Sequence, residues 1–385
     1  EDLEEMGIDD SSDAYVWSLQ TYDLSVFDRI MEDEEEGWQE ISHSILANLS
    51  EDIRLFIFPD KTELDVRLAI EGEKKAEEGE YAISPEFEEL KKVPVVKSRF
   101  QVKLVQLLYK NLPYKQKSNE RVEIRKLEFP VGRNKKGTIT VLEYIPLSTP
   151  NTVPAVVFYH GGADLFPALP YHYRLAEKIA VEVPCRVFLV MHDLAPKFNP
   201  PVQIIEGLDV YRRLLETARY FIDPDKIAVM GDSSGGTMTA AVALLARDVM
   251  APLPKGQMLL YPSLDMRYNT ESMKKYTDVP VVNAEAIDCY RKIVRTDWSQ
   301  ENKYYLSPTQ AESFEGLCNT YIETAEFDAL HDEGVEYAKK LEAAGVPVIL
   351  NETKGTVHSF DMAADSTILA KAMKKRIAFL KDIFK

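Results

Sequence analysis

Apolar positions change rhythm along this chain. In the first part, Val16, Leu19, Val26, Phe27 and Ile30 predict a helix from Tyr15 to about Met31 with an imperfect stripe. Trp38, Ile41, Ile45, Leu46 and Leu49 predict a better one, because they return to one face at steps of three and four. Residues 61–80 are rich in Glu and Lys and read as helical by propensity, and Ser84-Pro85 opens a further acidic helical turn. Phe100 to Leu112 fits helix or strand until Pro113 ends it.

Two alternating segments follow, Arg121–Leu127 and Thr138–Ile145, which predict antiparallel strands joined over Gly132, Asn134 and Gly137. From Pro154 the rhythm becomes short apolar runs at 155–159, 186–190, 227–230, 258–261, 320–324 and 346–350. Helical segments near 170–182, 203–219, 235–248 and 332–344 lie between them. A run apolar at every position is a strand buried on both faces. Such runs alternating with helices predict an α/β fold, a mostly parallel central sheet flanked by helices. A last helix carries Leu369, Met373, Ile377, Leu380 and Phe384.

One stretch breaks the alternation. Nearly 60 residues separate the runs at 258–261 and 320–324, with Pro262, Pro280, Pro308 and one good helix, Ala284 to Thr296. That is too long for a connecting loop and predicts a cap element at about 264–316. The expected organisation is a mainly helical N-terminal extension or cap over 1–115 and an α/β core over 116–385.

Charge sharpens that boundary. The net charge of −17 is concentrated in residues 1–90, which hold 28 acidic and 6 basic residues, whereas residues 91–385 hold 35 and 40. Such an acidic surface argues against nucleic acid and anionic membrane as its partners. No apolar run approaches the roughly 20 residues that span a bilayer. Cys185, Cys289 and Cys318 are odd in number and widely spaced, which suits neither a disulfide framework nor a zinc site. They read as buried small hydrophobes in a reducing compartment, so a cytoplasmic location is expected. The chain starts at Glu1 rather than Met, which leaves open a leader removed ahead of it.

The candidate chemistry centres on Gly231-Asp232-Ser233-Ser234-Gly235-Gly236, between the apolar run 226–230 and a helical segment. Strand, Gly-x-Ser-x-Gly and helix make a nucleophile elbow, with Ser233 in the central position because it alone has glycines two residues to either side. The motif by itself also fits a tight turn without chemistry. Acyl transfer needs a base, a group that orients it, and donors for an oxyanion.

Of six histidines only His331 and His358 follow Ser233. His331 opens a helix, whereas His358 lies in the loop after the last strand, which makes His358 the candidate base. The segment Glu323 to Gly334 offers Glu323, Glu326, Asp328, Asp332 and Glu333. Asp332 and Glu333 suit the first turn of a helix, leaving Asp328 to orient His358. Upstream, His160-Gly161-Gly162 follows a strand, and the N–H groups of Gly161, Gly162 and Ser234 are the candidate oxyanion donors. His160, His192 and Asp193 have no spacing that suggests a metal site.

These motifs, in this order, resemble the hormone-sensitive lipase-like esterases, also called bacterial family IV carboxylesterases, of the α/β-hydrolase fold. The resemblance covers about residues 138–385. It rests on His160-Gly161-Gly162, Leu194-Ala195-Pro196, Asp223 to Ile227, the elbow, Asp328 to Gly334 and Gly355 to His358. It implies Ser233, Asp328 and His358 as a triad, no cofactor or metal, and hydrolysis of short- to medium-chain acyl esters beneath a mobile cap. The expected partners are a small-molecule ester and, for an assembly, a second copy of the chain.

Four departures stand out. Ala163-Asp164 replaces the family's third glycine and its follower, which bears on the shape of the acyl or alcohol pocket. His192-Asp193 and Lys197 replace residues that normally pack and pair that loop, Ser234 replaces an alanine and Ala329 a proline. An amidase or peptidase of the same fold is the nearest alternative. A non-catalytic small-molecule receptor is a further one, disfavoured because His358 is present.

Overall fold

All the apolar runs that alternate with helical stripes join one sheet. The computed structural model describes residues 52–57, 62–67, 81–92, 98–111, 117–132, 137–147, 152–216, 220–294 and 303–385. The chain divides into two units, Glu1–Glu80 and Tyr81–Lys385. In the first, β1 (Asp52–Ile57) pairs antiparallel with β2 (Thr62–Arg67), with Leu55 opposite Leu64. The helical expectation for 61–80 therefore fails over 62–67. Thr62, Leu64 and Val66 alternate with Glu63, Asp65 and Arg67, and this period of two outweighs the Glu/Lys-rich composition. The helices expected over 15–31 and 38–49 lie outside the described residues.

The second unit starts with a short 3-10 helix over Pro85–Lys92 and α1 (Arg99–Asn111), so the ambiguous segment before Pro113 is a helix. Strands β3 (Val122–Val131) and β4 (Gly137–Pro146) pair antiparallel, as their alternation predicts. Then come β5 (Val153–Tyr159), α2 (Pro170–Glu182), β6 (Arg186–Met191), α3 (Pro200–Glu216), β7 (Ile222–Asp232), α4 (Ser234–Asp248) and β8 (Gly256–Leu260). After the insertion follow β9 (Asn319–Phe327), α8 (His331–Ala343), β10 (Val348–Val357) and α9 (Thr367–Ile383), where α5 to α7 belong to the insertion described below.

The eight strands run β10-β9-β8-β7-β5-β6-β4-β3. Pairs from β6 across to β10 are parallel, and β4 meets β6 antiparallel. Alternate residues of each strand serve opposite layers. Val156, Phe158, Ala228 and Met230 pack with Leu175 and Ile179 of α2 and with Met373, Ile377 and Leu380 of α9. Ala155, Val157, Tyr159 and Val229 pack with Ile204 and Leu208 of α3 and Met238 and Val242 of α4. Both faces of the sheet are therefore covered, which is why its strands read as continuous apolar runs.

The strand order also places the site. From β5 the chain crosses through α2 to β6 on one side and then through α3 to β7 on the other. At such a reversal the connections diverge from the carboxyl ends of the strands and leave a crevice. Gly161 follows β5 there, and Ser233 follows β7.

The insertion between β8 and β9 contains α5 (Glu271–Lys275), α6 (Ala284–Val294) and α7 (Lys303–Leu306). Ile293 and Val294 of α6 pack with Val102 of α1 and with Leu165 and Ala195 from the loops after β5 and β6. Phe166 meets Tyr290 edge to face at 5.6 Å. The insertion thus rests on the loop that carries Gly161 and Gly162.

Candidate active site

The turn from β7 into α4 is sharp. A side chain on Gly231 would place its Cβ 2.1 Å from the Gly235 carbonyl oxygen, and one on Gly235 would lie 2.1 Å from that of Tyr159. Helix and strands can approach this closely only because both residues are glycine. Between them Ser233 takes φ 53° and ψ −124°, a region that costs an ordinary residue about 1–3 kcal/mol. Three backbone bonds hold it there: Ser233 N–H donates to the Leu260 carbonyl at 2.9 Å, and the Ser233 carbonyl accepts from Gly236 at 2.9 Å and Ser263 at 3.0 Å.

Ser233 Oγ lies 2.9 Å from His358 Nε2, and His358 Nδ1 lies 2.7 Å from Asp328 Oδ2. Leu330 N–H donates to the other Asp328 oxygen at 2.9 Å. Asp328 and His358 are both buried, whereas Ser233 is partly exposed. The three residues come from the ends of β7, β9 and β10 and are brought together as the sequence predicts.

The acids set aside lie elsewhere. Glu323 pairs with Arg376, and Glu326 accepts from Gly355 N–H at 2.7 Å. Asp332 accepts from Ser272 N–H at 2.8 Å. Both Asp332 and Glu333 sit in the first turn of α8, as expected, but Glu333 does more than meet the helix dipole. It turns away to accept from Leu264 N–H at 2.6 Å and Asp265 N–H at 2.9 Å, anchoring the start of the insertion. Burial pushes its carboxyl well above the usual range despite those donors.

Behind His358 is a support that sequence reading missed. The Tyr261 ring meets the imidazole edge to face at 5.1 Å, and its hydroxyl donates to Asp361 Oδ2 at 2.9 Å. Asp361 receives two bonds from Arg376 of α9, at 2.6 and 2.8 Å, and Arg376 also reaches Glu323 of β9. The guanidinium is fully buried, which only such pairing makes tolerable. It locks the loop after β10 to the last helix.

On the oxyanion side one expectation needs revision. Gly161 N–H donates to Asp232 Oδ1 at 2.9 Å and is therefore occupied. Among the described residues no such bond holds Gly162 N–H or Ser234 N–H. Asp232 also accepts from Tyr171 Oη at 2.8 Å and lies 3.0 Å from His172 Nε2. His172 Nδ1 accepts from Leu169 N–H at 2.7 Å, so Nε2 is the nitrogen that donates to Asp232. Burial alone would raise the Asp232 carboxyl, but His172, Tyr171 and Gly161 N–H outweigh it and hold the group at about 2. A buried carboxylate thus ties the loop after β5 to the elbow.

His160 and His192 are packing residues. Their rings stack at 4.2 Å, His160 Nδ1 donates to the Gly161 carbonyl at 2.7 Å, and burial holds His160 well below its usual pKa. In the loop after β6, Asp193 N–H donates to Glu206 of α3 at 3.1 Å.

Gly162, Ala163 and Asp164 all have positive φ, 134°, 53° and 62°. Asp164 N–H donates to Ser234 Oγ at 3.1 Å, and its carbonyl accepts from Ala195 N–H at 2.9 Å and Gln203 Nε2 at 3.1 Å. Gln106 of α1 donates to the Leu165 and Ala195 carbonyls at 2.6 and 2.8 Å.

Comparison with known proteins agrees with this architecture. A family model described as alpha/beta hydrolase fold matches residues 156–362. Carboxylesterase NlhH of Mycobacterium tuberculosis is 34% identical over 265 residues, which cover 67% of this chain and 83% of that protein. Esterase LipI of the same species is 32% identical over 228 residues, or 58% and 71% of the two chains. Among solved structures, a bacterial heroin esterase superposes with a TM-score of 0.71 at 25% identity, covering 79% of this chain and 98% of its own.

Proposed function

The chain belongs to the α/β-hydrolase family, in its hormone-sensitive lipase-like branch, and on that premise we propose a serine carboxylesterase that works through an acyl-enzyme on Ser233. The observation that carries the proposal is the line from Ser233 Oγ through His358 to Asp328, with contacts of 2.9 and 2.7 Å at a strained elbow.

In this mechanism Ser233 Oγ attacks the ester carbonyl while His358 Nε2 takes its proton. Asp328 holds the ring in the tautomer that exposes Nε2 and stabilises the imidazolium that forms. The carbonyl oxygen becomes an oxyanion and takes N–H bonds from Gly162 and Ser234, each worth about 3 kcal/mol in the transition state. Gly161 acts one step back, through Asp232, by fixing the turn that presents Gly162. The imidazolium returns its proton to the alcohol, which leaves. Water, deprotonated by His358, then repeats the attack on the acyl-enzyme and releases the acid.

Substrate preference is expected to fall among short- to medium-chain acyl esters, as the resemblance to the hormone-sensitive lipase-like esterases implies. The test is hydrolysis of p-nitrophenyl esters from acetyl to palmitoyl by the wild type and Ser233→Ala. Turnover that peaks at the shorter chains and disappears with the substitution is the expected result. Turnover that survives Ser233→Ala, or none on any chain length, overturns the proposal.

A further inference from the structure

We infer that Tyr261 is a positioning residue for the base, a brace that ties His358 to the same stretch of backbone that holds Ser233. The inference rests on the carboxylesterase reading above and deepens it by naming what sets the distance between nucleophile and base.

The first observation is conformational. Tyr261 directly follows β8, and its φ of 34° lies in the left-handed region. A bulky aromatic residue is rarely found there, and such strain persists only where the surroundings over-determine it. Here they do: Tyr261 N–H donates to the Glu323 carbonyl of β9 at 2.5 Å, and the side chain is buried.

That side chain reaches the loop bearing His358. Its ring meets the imidazole edge to face at 5.1 Å and the Phe360 ring at 5.7 Å, and so contacts the residues on either side of Ser359, itself at φ 52°. Its hydroxyl donates to Asp361 Oδ2 at 2.9 Å. Burial, reinforced by the Asp361 charge, pushes the hydroxyl well above its usual pKa and keeps it a donor. Asp361 is fixed by Arg376, which also pairs with the Glu323 carboxylate. Glu323 thus takes both ends of the brace, Tyr261 N–H on its carbonyl and Arg376 on its side chain. The four residues close a circuit in which no member shifts without breaking a bond.

The nucleophile hangs on the same stretch. Leu260, just before Tyr261, accepts from Ser233 N–H at 2.9 Å, and Ser263, two residues after it, donates to the Ser233 carbonyl at 3.0 Å. Tyr261 therefore stands between the two bonds that hold Ser233 and sends its side chain to the residue that takes the Ser233 proton. Ser233 Oγ and His358 Nε2 lie 2.9 Å apart, and transfer across such a contact slows steeply as the groups separate. Asp328 orients the imidazole through Nδ1, whereas Tyr261 packs against the ring and ties down the loop that carries it.

The experiment uses Tyr261→Phe, which keeps the ring and removes the hydroxyl that closes the circuit. Active serines are counted in the wild type and the variant with diethyl p-nitrophenyl phosphate, which esterifies Ser233 and releases one p-nitrophenolate per site. Turnover of p-nitrophenyl acetate is then expressed per counted serine. His358 serves both acylation and deacylation, so a displaced base slows both and leaves KM nearly unchanged. The variant is expected to titrate as fully as the wild type, with kcat per serine lower by about tenfold and KM within about twofold. A merely structural hydroxyl gives a different split, fewer active serines each turning over at the wild-type rate. That result, a change confined to KM, or a variant equal to the wild type throughout overturns the inference. A wild type that neither titrates nor hydrolyses any ester refutes the carboxylesterase reading as well.

Discussion

A carboxylate without surrounding water stays charged only where donors face it, and Asp232 has three. Its folded pKa of about 2 lies below the ordinary 3.8, so the unfolded chain binds the proton more readily. Asp232 therefore contributes stability above about pH 4, on the order of 2 kcal/mol, that disappears as pH falls from about 4 to 2. Denaturant unfolding of the wild type and Asp232→Asn is expected to show their stability difference shrinking over that window. The same substitution loosens the turn before Gly162. It is expected to lower kcat on p-nitrophenyl acetate by up to about a hundredfold with a smaller change in KM, since misplacement of an oxyanion donor acts mainly on the transition state. None of this was legible in the sequence. Ser233, Asp328 and His358 could be found there because each lies beside a glycine turn or a strand end with a recognisable pattern. Asp232 has partners at Gly161, Tyr171 and His172, whose distance along the chain leaves no local signal. Assigning Gly161 to the oxyanion failed for the same reason, since the competing acceptor lies 71 positions away.

Among the elements, β5 shows most clearly how pattern becomes structure. Its residues are alternately given to the α2/α9 layer and the α3/α4 layer, and all of Ala155 to Tyr159 are fully buried. Phe158→Ala would leave a cavity between β5 and α2. It is expected to cost about 3–5 kcal/mol in urea unfolding, with little change in the slope of the transition. Strands buried on both faces were legible because nothing but a covered sheet accommodates such runs. Elements with mixed faces were not. β2 was hidden by a composition that favours helix, and the segment of α1 fitted two periods until Val102 could be seen packing on Ile293 and Val294. The reach of Gln106 from α1 to the carbonyls of Leu165 and Ala195 is also invisible to periodicity, because a polar residue on a helix ordinarily faces water.

At the scale of the molecule, every strand of the eight-stranded sheet and each of Ser233, Asp328 and His358 lie in the unit Tyr81–Lys385. A chain lacking residues 1–80 is expected to unfold cooperatively and to keep Ser233-dependent turnover of p-nitrophenyl acetate. A shift in its acyl-chain profile would show that the acidic segment shapes the pocket, and loss of cooperative unfolding would contradict the division into units. The chain divides at Glu80/Tyr81, and Phe87 and Leu90 from the acidic stretch belong to the core of the second unit, so charge alone does not mark the division. The Arg376 clamp has a consequence in time. During synthesis Ser233 and Asp328 leave the ribosome well before α9, so a growing chain already holds the proposed nucleophile while the loop bearing His358 lacks the Arg376 contact. On the proposed mechanism, a chain cut before α9 is expected to carry the serine yet turn over p-nitrophenyl acetate far more slowly, because Asp361 and Glu323 then lack Arg376.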